Sequence, residues 1–109
     1  LLSALNTGHE GGCGTVHANS AADVPARLEA LAALAGLGRA ALHAQLAAAV
    51  QVLVHVRRLP DGRRWVDELR VVRADPESGR CVPLPAVRFG AGGGVPGEGY
   101  AELQRLVSP

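Results

Sequence analysis

Apolar and polar positions follow two rhythms along this chain, a helical one and then a β one. Val24, Leu28, Leu31 and Ala35 recur at helical spacing. Asp23 stands where an N-cap belongs, and Pro25 falls in the first turn, where a missing N–H costs nothing. Gly36 and Gly38 follow, so a helix is predicted to end at about Ala35. A second helix is predicted from about Arg39 to Val50, with Leu42, Leu46, Ala49 and Val50 on one side, and the two helices form an αα-hairpin.

From Gln51 the pattern turns to β. Val52 to Val56 is a run rich in valine, Pro60-Asp61-Gly62 is a turn, and Trp65 to Val72 offers a second strand, so an antiparallel hairpin is predicted. Arg57, Arg58, Arg63 and Arg64 gather near its turn and read first as a solvated tip, second as a patch facing an acidic neighbour. Asp75 to Gly79 marks another turn. Cys81 to Phe89 reads as an edge strand, because Pro83 and Pro85 cannot donate to a ladder. Gly90 to Gly99 holds six glycines and reads as a flexible linker, followed by a short helix from Tyr100 to Val107 with Leu103, Leu106 and Val107 as its apolar face. At the other end, Leu1, Leu2 and Leu5 suit one face of a helix that Gly8 stops.

Composition narrows the possibilities. The chain has 109 residues, 48% of them hydrophobic but only three aromatic in all, so its core must be built from Leu, Val and Ala. The net charge is +1 with both signs spread along the chain, which gives no footprint for nucleic acid. No apolar run is long enough to span a bilayer and no signal peptide is recognisable, so a cytoplasmic location is expected. Cys13 and Cys81 lack CxxC spacing and read as free thiols. His43 and His55 read as surface or satisfied interior residues, Arg27 and Glu29 as a solvated helix face, and Trp65 as a core or hairpin anchor.

Candidate chemistry concentrates in one stretch, Thr7-Gly8-His9-Glu10-Gly11-Gly12-Cys13-Gly14-Thr15-Val16-His17-Ala18-Asn19. Gly11, Gly12 and Gly14 let the backbone bend and approach a ligand closely. Thr15 to Ala18 reads as a short buried strand. Ligands of open α/β sheets bind beyond the carboxyl ends of strands, and here that end carries His17 and Asn19. An imidazole there can donate to a terminal phosphate. His9, Cys13 and His17 are four residues apart, a spacing that suits metal ligands on a helix, but the glycines between them argue against a helix and therefore against a metal.

The stretch TGHEGGCGTVHANS resembles the histidine box of the secretion ATPase superfamily, the hexameric motors of type II and type IV secretion and of pilus assembly. Arg27-Leu28-Glu29 and the segment Val54 to Arg64 look like its tight-adherence, conjugal-transfer-associated branch. The resemblance runs from about Ala4 to about Val72. It implies an α/β fold, the carboxyl-terminal part of a RecA-like P-loop ATPase domain carrying a helical hairpin and an antiparallel β-hairpin. Residues 1–89 would form the partial ATPase core and 90–109 a glycine-rich linker with a short helix.

On this resemblance, His17 and His9 are the catalytic candidates, and Gly11, Gly12, Thr15 and Asn19 would contact ATP. Walker A and Walker B motifs are missing, and all eleven Lys+Arg residues are arginine, so no P-loop lysine exists in the chain. ATP and Mg²⁺ would therefore bind only with the rest of the ATPase chain. The implied partners are that rest, neighbouring subunits of a homohexamer and an inner-membrane secretion or pilus platform, with the motor at the inner face of the membrane. The segment alone should not hydrolyse ATP. Two other readings are a non-catalytic interaction module derived from such a motor, and a small zinc hydrolase built on His9, Cys13 and His17.

Overall fold

The computed structural model describes residues 14–108. The predicted amino-terminal helix, together with His9, Gly11, Gly12 and Cys13, lies outside them. A 3-10 turn at Ala21–Asp23 leads into helix α1 (Val24–Leu34) and helix α2 (Arg39–Ala49). Strands β1 (Val52–Arg58), β2 (Arg64–Ala74), β3 (Cys81–Gly90) and β4 (Gly93–Pro96) follow, and helix α3 (Tyr100–Val107) comes last.

Both predicted helices form close to their predicted bounds. Pro25 sits in the first turn of α1, although Asp23 makes no side-chain capping bond to the helix. Instead its carboxylate accepts a bond from the Ser20 hydroxyl at 3.1 Å. The end of α1 is a double closure: Gly36 N–H donates to Ala33 O at 3.1 Å and Leu37 N–H to Ala32 O at 2.9 Å. Gly36 takes a φ of +81°, which a side chain would strain, so the predicted stop residue does the stopping. Leu42 and Leu46 of α2 are buried, whereas Leu34 of α1 is 87% exposed.

The sheet is an antiparallel meander in the order β1-β2-β3-β4. In the predicted hairpin Val52 pairs with Val71 and Arg58 with Arg64, and the register skips Asp67 so that His55 faces Glu68. A second skip, at Ala86, places Leu69 opposite Val87 and Arg70 opposite Pro85. Side chains alternate across the pleat. One face therefore carries Val52, Leu69, Val71 and Leu84, which pack with Ala86 and Val87 against Leu103 of α3. The other carries Cys81, which meets α2 through His43.

Three expectations need correction. Thr15 to Ala18 is not a buried strand: residues 14–18 have no regular secondary structure, and Thr15, Val16 and His17 are exposed. A strand exists only where a neighbour takes up its backbone N–H and C=O groups, and the four described strands pair with one another and not with this segment. The glycine-rich stretch is not a linker. Gly93 turns the chain with a φ of +103°, β4 pairs with the end of β3, and Gly97 N–H and Gly99 N–H donate to Ala86 O and Pro85 O at 2.9 and 2.8 Å. Nor is β3 an edge along its whole length. Only the half holding Pro83 and Pro85 lacks β4 as a neighbour, and prolines are tolerated there.

Candidate functional site

The described half of the glycine-histidine stretch is an exposed run of chain that Ala21 anchors, at 2% exposure, before α1 begins. Thr15, His17 and Asn19 present a hydroxyl, an imidazole and an amide to solvent within five residues. Each of these groups can donate a hydrogen bond to a phosphate oxygen. Of the six candidate residues the structure describes Thr15, His17 and Asn19, all exposed, while His9, Gly11 and Gly12 lie outside the described residues. Among the described residues no group of three metal-ligating side chains exists.

An interior polar node lies between α1, α2 and β3. His43 is 3% exposed, and its Nδ1 accepts the Cys81 N–H at 2.8 Å. The proton must then sit on Nε2, which donates to Glu29 Oε1 at 2.6 Å. The Cys81 thiol donates to His43 O at 3.2 Å, and burial pushes that thiol up from its ordinary pKa. Glu29 also lies 3.5 Å from Arg39. The bond from His43, then the arginine charges, hold its carboxyl below the usual range against partial desolvation. The node ties α1, α2 and β3 together. His43 is a satisfied interior residue, and Glu29 is bound to it instead of belonging to a solvated face.

A second cluster occupies the sheet. Glu68 is 4% exposed, with Arg70 Nε at 3.0 Å from Oε1 and Arg88 Nη2 at 3.5 Å from Oε2. Asp67, displaced by the bulge, lies 3.4 Å from His55 Nδ1 and 3.8 Å from Arg57. Sequence reading missed this group, because a bulge that turns neighbouring carboxylates onto one face leaves no mark on the period of the strand. Every acid in it faces a base, so it reads as a charge-matched clamp across β1, β2 and β3.

Residues 1–80 match the family described as type II/IV secretion system protein. The chain belongs to that family. Two conjugal transfer proteins from strains of Mycobacterium tuberculosis are each 70% identical to it over 73 residues, 67% of this chain and 21% of theirs. The conjugal transfer protein TrbB of Sinorhizobium fredii is 41% identical over 73 residues, 67% of this chain and 22% of its own length. This secretion family member thus spans about a fifth of the length of the curated relatives it matches. No solved structure matches it significantly. Among the described residues no helix is long and apolar enough to cross a membrane.

Proposed function

We propose that this chain is the carboxyl-terminal segment of a hexameric ATPase that powers secretion, pilus assembly or conjugal transfer. It lends Thr15, His17 and Asn19 to a nucleotide site whose P-loop lies in other sequence. The observation that carries the proposal is the family match over residues 1–80, within which these three donors stand open to solvent. ATP is the substrate in this reading. The donor set fits its terminal phosphate, since hydroxyl, imidazole and amide all donate to anionic oxygen. The chain contains no lysine, so the lysine that grips β- and γ-phosphates comes from elsewhere, as do the Mg²⁺ ligands. His17 would hold a proton toward the γ-phosphate and Thr15 would orient the attacking water. His9, Gly11 and Gly12 would complete the loop at a boundary between subunits.

The same reading makes the segment a RecA-like terminal part, with the remaining chain, neighbouring copies and a membrane platform protein as partners. In the full-length ATPase, His17→Ala should lower kcat for ATP about a hundredfold with little change in KM, the pattern of a lost transition-state interaction. An unchanged kcat would refute the role given to His17. The 109-residue chain alone should not turn over ATP. One feature favours the alternative, a non-catalytic interaction module: among the described residues the four strands form one continuous meander with its own core cluster. That alternative predicts pull-down of an intact motor by the chain and no effect of His17→Ala on the complex.

A further inference from the structure

The β1–β2 hairpin tip concentrates charge that the rest of the molecule does not. Between Val56 and Val66, Arg57, Arg58, Arg63 and Arg64 against the single Asp61 give a net charge of +3, in a chain whose total is +1. Two of these arginines have partners within the hairpin: Arg63 Nε lies 2.6 Å from Asp61, and Arg57 Nη2 lies 3.8 Å from Asp67. Arg58 and Arg64 have no ion-pair or hydrogen-bond partner for their guanidinium groups among the described residues, and they sit directly opposite each other as the last pair of the ladder. Like charges facing across a ladder repel, and an anion placed between them removes the penalty.

Apolar side chains interleave with this charge. Val54, Val56, Trp65 and Val66 are 56%, 49%, 40% and 41% exposed. By register, Val56, Val66, Arg58 and Arg64 share one face of the hairpin, and Arg57 and Trp65 share the other. A groove on an acidic protein would engage one face. A layer of headgroups surrounds an inserted tip on all sides, pairs with arginine at phosphate level and accommodates tryptophan at the boundary between phosphates and acyl chains. We infer that the β1–β2 tip docks end-on into an anionic phospholipid surface, with Arg58 and Arg64 on lipid phosphates and Trp65, Val56 and Val66 at the upper acyl level. This surface is separate from the proposed phosphate-sensing residues, so either reading can fail without the other.

The test is co-sedimentation of the chain with vesicles of phosphatidylcholine alone and of phosphatidylcholine with about a third phosphatidylglycerol, the anionic component that attracts basic segments. Trp65, the only tryptophan, supplies a fluorescence signal in the same samples. Binding is expected on the anionic vesicles only, with a blue shift of Trp65 emission. Raising salt to about 0.5 M should abolish it. Arg58→Gln and Arg64→Gln should each weaken binding about fivefold, the share of one arginine near such a surface. Arg27→Gln, the same charge change on exposed α1, should leave it intact. Circular dichroism of each variant separates lost binding from lost folding. The inference is overturned by equal binding to neutral vesicles, by no loss in the two tip variants, by equal loss in Arg27→Gln, or by an unmoved Trp65 emission. It is also overturned if polyglutamate binds as tightly as the vesicles, the result expected of a site for an acidic protein.

Discussion

His43 shows how one side chain can fix a larger arrangement. Both ring nitrogens are committed, one accepting from β3 and the other donating to α1, so no substitute satisfies both partners at the same reach. His43→Ala leaves the buried Cys81 N–H without an acceptor and frees Glu29, which should cost about 3 kcal/mol in urea unfolding. His43→Gln should recover part of this. A lone histidine on a helix looks the same in sequence whether it faces water or protein, and only the arrival of β3 residues beside α2 decides the matter. Close approach is similarly silent. A Cβ on Gly97 would stand 2.5 Å from Pro85 O, and one on Gly99 2.5 Å from Val71 Cγ2. Gly97→Ala and Gly99→Ala should each destabilise by about 2 kcal/mol, while Gly92→Ala, which meets nothing within 4 Å, should be tolerated.

At the scale of elements, pattern and structure agree where local rules dominate. Both helices of the αα-hairpin and the β1–β2 hairpin follow from period, Pro25, Gly36 and the Pro60–Gly62 turn, because each is decided by neighbours in sequence. Agreement ends where partners decide. Thr15 to Ala18 has strand-like residues but no described strand to pair with, and the glycines of 90–99 have linker composition yet find the edge of β3. The candidate segment stands out in the sequence as a motif, and the structure adds that Thr15, His17 and Asn19 are exposed. The Glu29–His43–Cys81 node does not stand out in this way. Burial along the helices is uneven, and a comparison of truncations measures it. Leu46→Ala in α2, where the side chain is 1% exposed, should cost about 3 kcal/mol, whereas Leu34→Ala in α1, 87% exposed, should change the urea midpoint little.

For the molecule as a whole, acid should be the weak point. Glu29, Asp61 and Asp75 all have carboxyls held below their ordinary range, by His43, by Arg63, and by Ser78 with the Glu77 N–H respectively. A carboxyl depressed in the folded state gives up its proton more readily there than in the unfolded chain. Its stabilisation is therefore complete above the ordinary carboxylate pKa of about 4 and disappears as pH falls below that value. Urea midpoints measured downward from pH 7 should hold steady and then drop in that region, and Glu29→Gln should flatten the drop.

The order of strands in the sheet repeats their order in the chain, and the connections are the short segments 59–63, 75–80 and 91–92. Closing such loops costs little entropy, so each hairpin can zip onto the one before it as synthesis proceeds, without waiting for distant sequence. Stopped-flow refolding of the chain should accordingly be fast for an all-antiparallel sheet, and a circular permutant that separates β1 from β2 should lose that speed before it loses the fold.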